Sequence, residues 1–192
     1  MAGGFVLVVG PSGAGKDTLI RLARARLAGD ARFLFPQRLV TRPPSEHEDN
    51  LEIAEAAFAA GAAKAAFALH WRAHGLGYAI PLEAARAADR GRCVVCNVSR
   101  RAVAEARRRL AQRVRVVAVT ASPAVLAERL AARGRDADGD LAARLAREAP
   151  IEADLTIVNE GDRETAAARL LAFLQTLHGD AAGLYPTDMQ GR

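Results

Sequence analysis

At 192 residues, the chain suits a single domain with room for a small insertion or lid. Hydrophobic residues at 51% and charged residues at 26% exclude a disordered or collagen-like chain, and no run of about 18 uncharged apolar residues exists to span a membrane as a helix. The net charge of +5 invites an anionic partner, yet 25 of the 27 basic residues are Arg spread along helices beside Ala and Glu, with no basic-aromatic stretch of the kind that binds nucleic acid.

Met1-Ala2-Gly3-Gly4 leads straight into an apolar segment, without the charged start and cleavage site of a secretory leader, so a cytoplasmic location is expected. Gly4-Phe5-Val6-Leu7-Val8-Val9-Gly10 reads as a strand buried on both faces. A helix follows from about Lys16 to Leu27, with Leu19, Ile20, Leu22, Ala23 and Leu27 at helical spacing. Phe33-Leu34-Phe35 and Arg38-Leu39-Val40-Thr41 read as extended, because Pro36, Pro43 and Pro44 break any helix there. Ile53 to Ala63 reads as a helix and Ala65 to Trp71 as a strand. Pro81 to Arg90 is a predicted helix, Arg92 to Val98 a strand, Arg101 to Gln112 a helix and Val114 to Thr120 a strand. Ser122-Pro123 supplies an N-cap and a first-turn proline for a helix running towards Ala132. After a polar break from Gly134 to Asp140, Leu141 to Glu148 resumes a helix; Leu155 to Asn159 is the last strand and Asp162 to His178 the last helix. Residues 179–192 have loop composition and are expected to fray as a flexible tail. This alternation predicts a three-layer α/β domain around a parallel sheet.

Cys93 and Cys96 are spaced like half of a zinc site, but on a strand they point to opposite faces, and no second pair completes a ligand set. Both are expected in the core. His47, His70, His74 and His178 show no metal-ligand spacing.

The chemistry is concentrated in Gly10-Pro11-Ser12-Gly13-Ala14-Gly15-Lys16, a G-x-x-x-x-G-K loop between a buried strand and a helix. Glycines let successive N–H groups turn inward on a phosphate, the helix N-terminus adds a favourable dipole, and the ammonium reaches the outer phosphates. A chain that otherwise uses Arg for all but two of its basic residues places one of its lysines here. The next residue is Asp17, where such loops supply Ser or Thr to hold Mg²⁺; Thr18 follows. A carboxylate there suits either a metal bridging it to the phosphates or a stabilising charge on the helix dipole. No N-K-x-D base-reading sequence marks a switch GTPase. Instead Glu128-Arg129-Leu130-Ala131-Ala132-Arg133-Gly134-Arg135, with Arg144 and Arg147, offers an Arg-rich lid that could close on a transferring phosphoryl group.

Together the loop, Val40-Thr41-Arg42-Pro43, Asp49-Asn50, Trp71 to Tyr78 with its Gly75-Leu76-Gly77-Tyr78 stretch, the lid and Ile157-Val158-Asn159 resemble the guanylate kinase-like P-loop kinases. Within them the chain is most similar to the ribose 1,5-bisphosphate phosphokinases of bacterial phosphonate degradation, over roughly residues 5 to 175. The resemblance implies a P-loop NTPase fold of nucleoside monophosphate kinase type. Residues 1–178 would form a single kinase domain, with an acceptor-binding region at about 36–80 and the lid at about 129–150. It implies ATP as phosphoryl donor, Mg²⁺, and 5-phosphoribosyl 1-diphosphate as product. Lys16, Arg133 and Arg144 would be catalytic; residues 10–18, that is Gly10, Pro11, Ser12, Gly13, Ala14, Gly15, Lys16, Asp17 and Thr18, with Arg129 and Arg133 would hold the nucleotide, and Asp17 the metal. Arg38, Arg42, Asn50, Arg72, Tyr78, Asn97, Arg100 and Arg144 would bind the acceptor. The expected partner is a small anionic phosphosugar, with neither nucleic acid nor membrane, and a homodimer is left open. Where guanylate kinases place a base-reading carboxylate, this chain aligns Arg72, which can fork onto phosphate but cannot accept guanine N–H bonds. A nucleoside monophosphate kinase and a non-catalytic nucleotide-binding module remain the alternatives.

Overall fold

The computed structural model describes residues 3–43, 49–110, 114–132 and 151–179. Its larger sheet is five-stranded and wholly parallel: β2 (Phe33–Leu34), β7 (Cys93–Asn97), β1 (Gly4–Val9), β8 (Val114–Thr120) and β9 (Leu155–Val158), in that spatial order. β1 is apolar throughout because both its faces are covered. Val6 and Val8 face α1 (Lys16–Arg26) and α6 (Arg163–Gly179), packing with Leu19, Ala23, Leu170 and Leu174. Phe5, Leu7 and Val9 face the other way, towards α3 (Leu82–Asp89) and α4 (Val103–Arg109), with Ala84, Ala87, Val103 and Ala106. The three layers expected from the alternation are present.

Cys93 joins the first of these cores and Cys96 the second, as opposite faces of a strand require. Both thiols are free and buried, and burial pushes Cys93 up to about 12 and Cys96 higher still. They are inert packing groups.

The second sheet departs from the purely parallel expectation. It has the order β4 (Asn50–Glu52), β3 (Arg38–Val40), β6 (Leu76–Pro81), β5 (Phe67–Ala73), with β3 parallel to β4 and antiparallel to β6, and β5 antiparallel to β6. β4 and β6 are strands the sequence pattern does not announce: the three residues of β4 are too few to show a period, and the six of β6 do not alternate polar with apolar. Thr41 prolongs the β3–β6 pairing: its N–H donates to Gly77 O at 3.0 Å and its Oγ1 accepts from Gly77 N at 2.8 Å. α2 (Glu55–Ala63) covers the outer face of this sheet, placing Phe58 against Phe67 and Ala79. It starts two residues later than the expected Ile53.

The expected helix from Arg101 is a Ser99-capped 3-10 turn at Arg100–Ala102 running into α4. Ser122 precedes α5 (Pro123–Ala131) with Pro123 at the first helical position, but its side chain makes no capping bond; its backbone N–H donates to Glu160 Oε1 instead. The expected helix at 141–148, the lid arginines Arg133 and Arg144, and the tail lie outside the described residues. No helix among the described residues is long and apolar enough to cross a membrane.

Candidate active site

The connection leaving β1 passes β7 to reach β2, whereas the connection leaving its neighbour β8 runs the other way to β9. A crevice opens at such a switch point, beyond the carboxyl ends of the strands, and ligands of open α/β sheets bind there. The loop Gly10–Lys16 leaves β1 at this place, with Asn97 ending β7, Thr120 ending β8 and Asn159 directly after β9.

Two glycines of the loop are required by geometry. Gly10 has φ +148°, and a Cβ on it would stand 2.0 Å from Val119 O. Gly15 has φ +88°, and its Cβ would meet Asn159 Nδ2 at 2.5 Å. Pro11, Gly13 and Ala14 are buried while Ser12 is exposed. Lys16 Nζ donates to Gly10 O at 2.9 Å and Pro11 O at 2.8 Å, so the ammonium lies across the loop it serves. Arg129 reaches in from α5, its Nη1 3.4 Å from Gly13 O. Asn159, only 4% exposed, donates from Nδ2 to Ala14 O at 2.8 Å. Asn159 holds the loop, and its signal in the sequence is a polar amide directly after an apolar strand.

Asp17 and Thr18 stand half-buried in the first turn of α1. Asp17 Oδ1 accepts from Asn97 Nδ2 at 2.7 Å and lies 3.7 Å from Arg38 Nη2. Arg38 Nε donates to Asn50 Oδ1 at 3.1 Å, its Nη1 to Asn97 O at 3.4 Å, and its guanidinium lies 5.9 Å from the Tyr78 ring centre. Tyr78 in turn stacks on Trp71, ring centres 5.4 Å apart and planes within 6°. The structure therefore gathers Asp17, Asn97, Arg38, Asn50 and Tyr78 into one group facing the loop. Arg42, half-buried, follows Thr41 in the bend leaving β3, and Arg100, also half-buried, opens the turn after β7.

Arg72 is not in this group. It alternates with Trp71 on β5 and so points to the outer face, over the Phe58 ring at 5.0 Å and paired with Glu55. Its side chain is 55% exposed, and its hydrogen bond holds the Glu55 carboxyl below the usual range. The phosphate fork expected of Arg72 is thus directed away from the crevice. Gly77, its cross-strand neighbour, is small for a packing reason: a Cβ there would stand 2.7 Å from the Phe58 ring.

Among the described residues no group of three His, Cys, Asp or Glu could hold a metal. Asp17 Oδ1 already accepts a hydrogen bond and faces a guanidinium, so a cation binding there would displace a donor and meet a like charge. The donor set does not fit a direct Mg²⁺–Asp17 bond at that oxygen, in contrast to the metal role expected from the loop.

The arrangement can hold phosphates on backbone amides at one wall and present an Arg, an amide and a phenol at the other. A family model described as an AAA domain matches residues 6–149. A ribose 1,5-bisphosphate phosphokinase PhnN of Methylobacterium radiotolerans is 65% identical over 175 residues, covering 91% of this chain and 99% of that one. The protein of the same name from Acidiphilium cryptum is 51% identical over 174 residues, covering 90% and 93%. The crystal structure of guanylate kinase from Anaplasma phagocytophilum superposes with a TM-score of 0.64 at 16% identity, covering 92% of this chain and 87% of that chain, and so shares the fold. The chain carries the AAA domain and belongs to the family of ribose 1,5-bisphosphate phosphokinases PhnN.

Proposed function

We propose that the chain transfers the γ-phosphoryl group of ATP to the 1-phosphate of ribose 1,5-bisphosphate, giving 5-phosphoribosyl 1-diphosphate and ADP. One observation carries this reading: the Methylobacterium radiotolerans relative of that name matches over 99% of its own length, so the likeness takes in the small sheet and its crevice residues as well as the common loop. The loop amides and Lys16 hold the donor phosphates, the ammonium exchanging its bonds to Gly10 O and Pro11 O for phosphate oxygens. Arg129 stands beside the loop to neutralise charge there, and Arg133 and Arg144 are assigned the same task during transfer. Arg38, Arg42 and Arg100 take the acceptor phosphates, with Asn50, Asn97 and Tyr78 fixing the sugar end. The attacking phosphate oxygen is ionised near neutral pH, so positioning and charge neutralisation do the catalysis and no strong general base is needed. Mg²⁺ bound with ATP would lower the charge on its phosphates. Residues 1–178 act as one domain with 36–80 as acceptor region and 129–150 as lid, in the cytoplasm where ATP is supplied.

A coupled ADP-release assay with ribose 1,5-bisphosphate, GMP, AMP and UMP in parallel tests the reading. Turnover of the ribose compound alone is expected. Rapid turnover of GMP with none of the ribose compound would overturn it.

A further inference from the structure

We propose that Asp17 is a positioning residue that ties the nucleotide loop to the acceptor sheet through Arg38 and Asn97. The inference rests on the proposed function only in taking Arg38 as a contact for the acceptor.

Arg38 opens β3 and is in register with Asn50 of β4, whose Oδ1 accepts from Nε. That bond and the Tyr78 ring direct the two remaining guanidinium nitrogens towards the end of β7. There Nη1 meets Asn97 O and Nη2 faces Asp17 Oδ1, while Asn97 closes the ring by donating Nδ2 to the same oxygen. Asp17 is thus joined to the small sheet directly through the charge of Arg38, and indirectly through Asn97 of β7, whose amide donates to Asp17 and whose carbonyl accepts from Arg38. The Arg38 side chain is 12% exposed against 40% for Asp17. A guanidinium so far withdrawn from water needs a carboxylate close by, and the hydroxyl usual after the loop lysine would offer none. This accounts for an acid at a position where an acid beside phosphates is otherwise unfavourable.

The consequence is mechanical. Asp17 stands next to Lys16, in the first turn of the helix that the loop opens, so any shift of that turn when phosphates enter reaches Arg38 directly. Donor and acceptor binding are then coupled, each raising the affinity for the other by the same factor.

The test is a cycle of Asp17→Asn, Arg38→Gln and the double variant. The wild-type chain is first assayed with ribose 1,5-bisphosphate; no turnover contradicts the proposed function, and the cycle is then run on whichever acceptor of the parallel assay is used. Asp17→Asn keeps the shape and an acceptor for Asn97 but removes the charge facing Arg38. The expected result is an acceptor KM raised about tenfold, with the Mg²⁺ concentration for half-maximal rate moved less than about twofold. In the Arg38→Gln background the same change should alter acceptor KM by less than about twofold, because residues acting as a pair are not additive. A shifted Mg²⁺ curve with unchanged acceptor KM would assign Asp17 to the metal and overturn the proposal. Additive effects in the cycle, or a lowered melting temperature with all kinetic constants intact, would overturn it equally.

Discussion

The two sheets solve different problems with different materials. In the larger sheet, β1 pairs with β7 and β8 over five residues each, its side chains alternate cleanly between two cores, and the site it ends in is made of backbone. In the smaller one, β3 and β4 have three residues each, and the site is made of side chains selected by strand parity. Trp71, Tyr78 and Ile80 face the main core, whereas Arg72, Gly77 and Ala79 face α2. A step of one residue exchanges these sets. Lys16 apart, the loop site therefore depends on glycine backbone that has no room for a Cβ, whereas the small-sheet site depends on which side chains strand parity turns inward.

The largest expected effect is at the loop. Lys16→Ala should lower kcat by about a hundredfold or more, since it removes the charge proposed to meet the donor phosphates, while circular dichroism should show the fold retained. Next, Gly15→Ala should weaken ATP binding by more than about tenfold, because the residue is held at φ +88° with its Cβ direction filled by Asn159. Asn159→Ala should cost about 1–3 kcal/mol of stability by leaving buried Ala14 O without its donor. Added to Gly15→Ala, it should restore part of the ATP affinity, a gain read by equilibrium titration. A loop variant without effect would break the first half of the comparison.

On the small sheet the outer face should matter little. Arg72→Ala should change the acceptor kcat/KM by less than about threefold and leave the melting temperature nearly unchanged, since exposed ion pairs contribute little. A steep rise in acceptor KM would show that this face meets the substrate and that parity does not divide the sheet. The smallest effect is at His70, which packs on Phe58 and Phe67. Burial, assisted by the Arg109 charge, holds its pKa below the usual value. Unfolding then takes up protons, so the His70 contribution is complete above the ordinary histidine pKa and is lost as pH falls below about 6.5. His70→Gln should flatten urea-midpoint stability against pH in that window.

The same contrast decides what could be read in the sequence. The loop, the buried strands and the opposed cysteines were legible because each rests on local pattern: glycine spacing, apolar runs, period two. Lys16 lies across the loop it closes, Arg129 beside that loop, and Asn97 at the end of β7. Arg72 was read through alignment to a carboxylate position, and its facing depends on the β5–β6 register and on a bulge between Phe67 and Leu69 that no local signal announces. Arg38 owes its place to pairing with Asn50 twelve residues later and with Asn97 on the other sheet. Asn159 was visible as a residue but not as a clamp, since its partner lies 145 positions away.

The central claim is that phosphate, not a hydroxyl, is the acceptor. Phosphorus-31 NMR of the wild-type chain with ATP, Mg²⁺ and ribose 1,5-bisphosphate reads it directly. The C1 phosphate signal is expected to be replaced by two mutually coupled diphosphate resonances, in step with formation of ADP. A new uncoupled monoester signal, or an unchanged spectrum from a preparation that converts GMP to GDP, would contradict it.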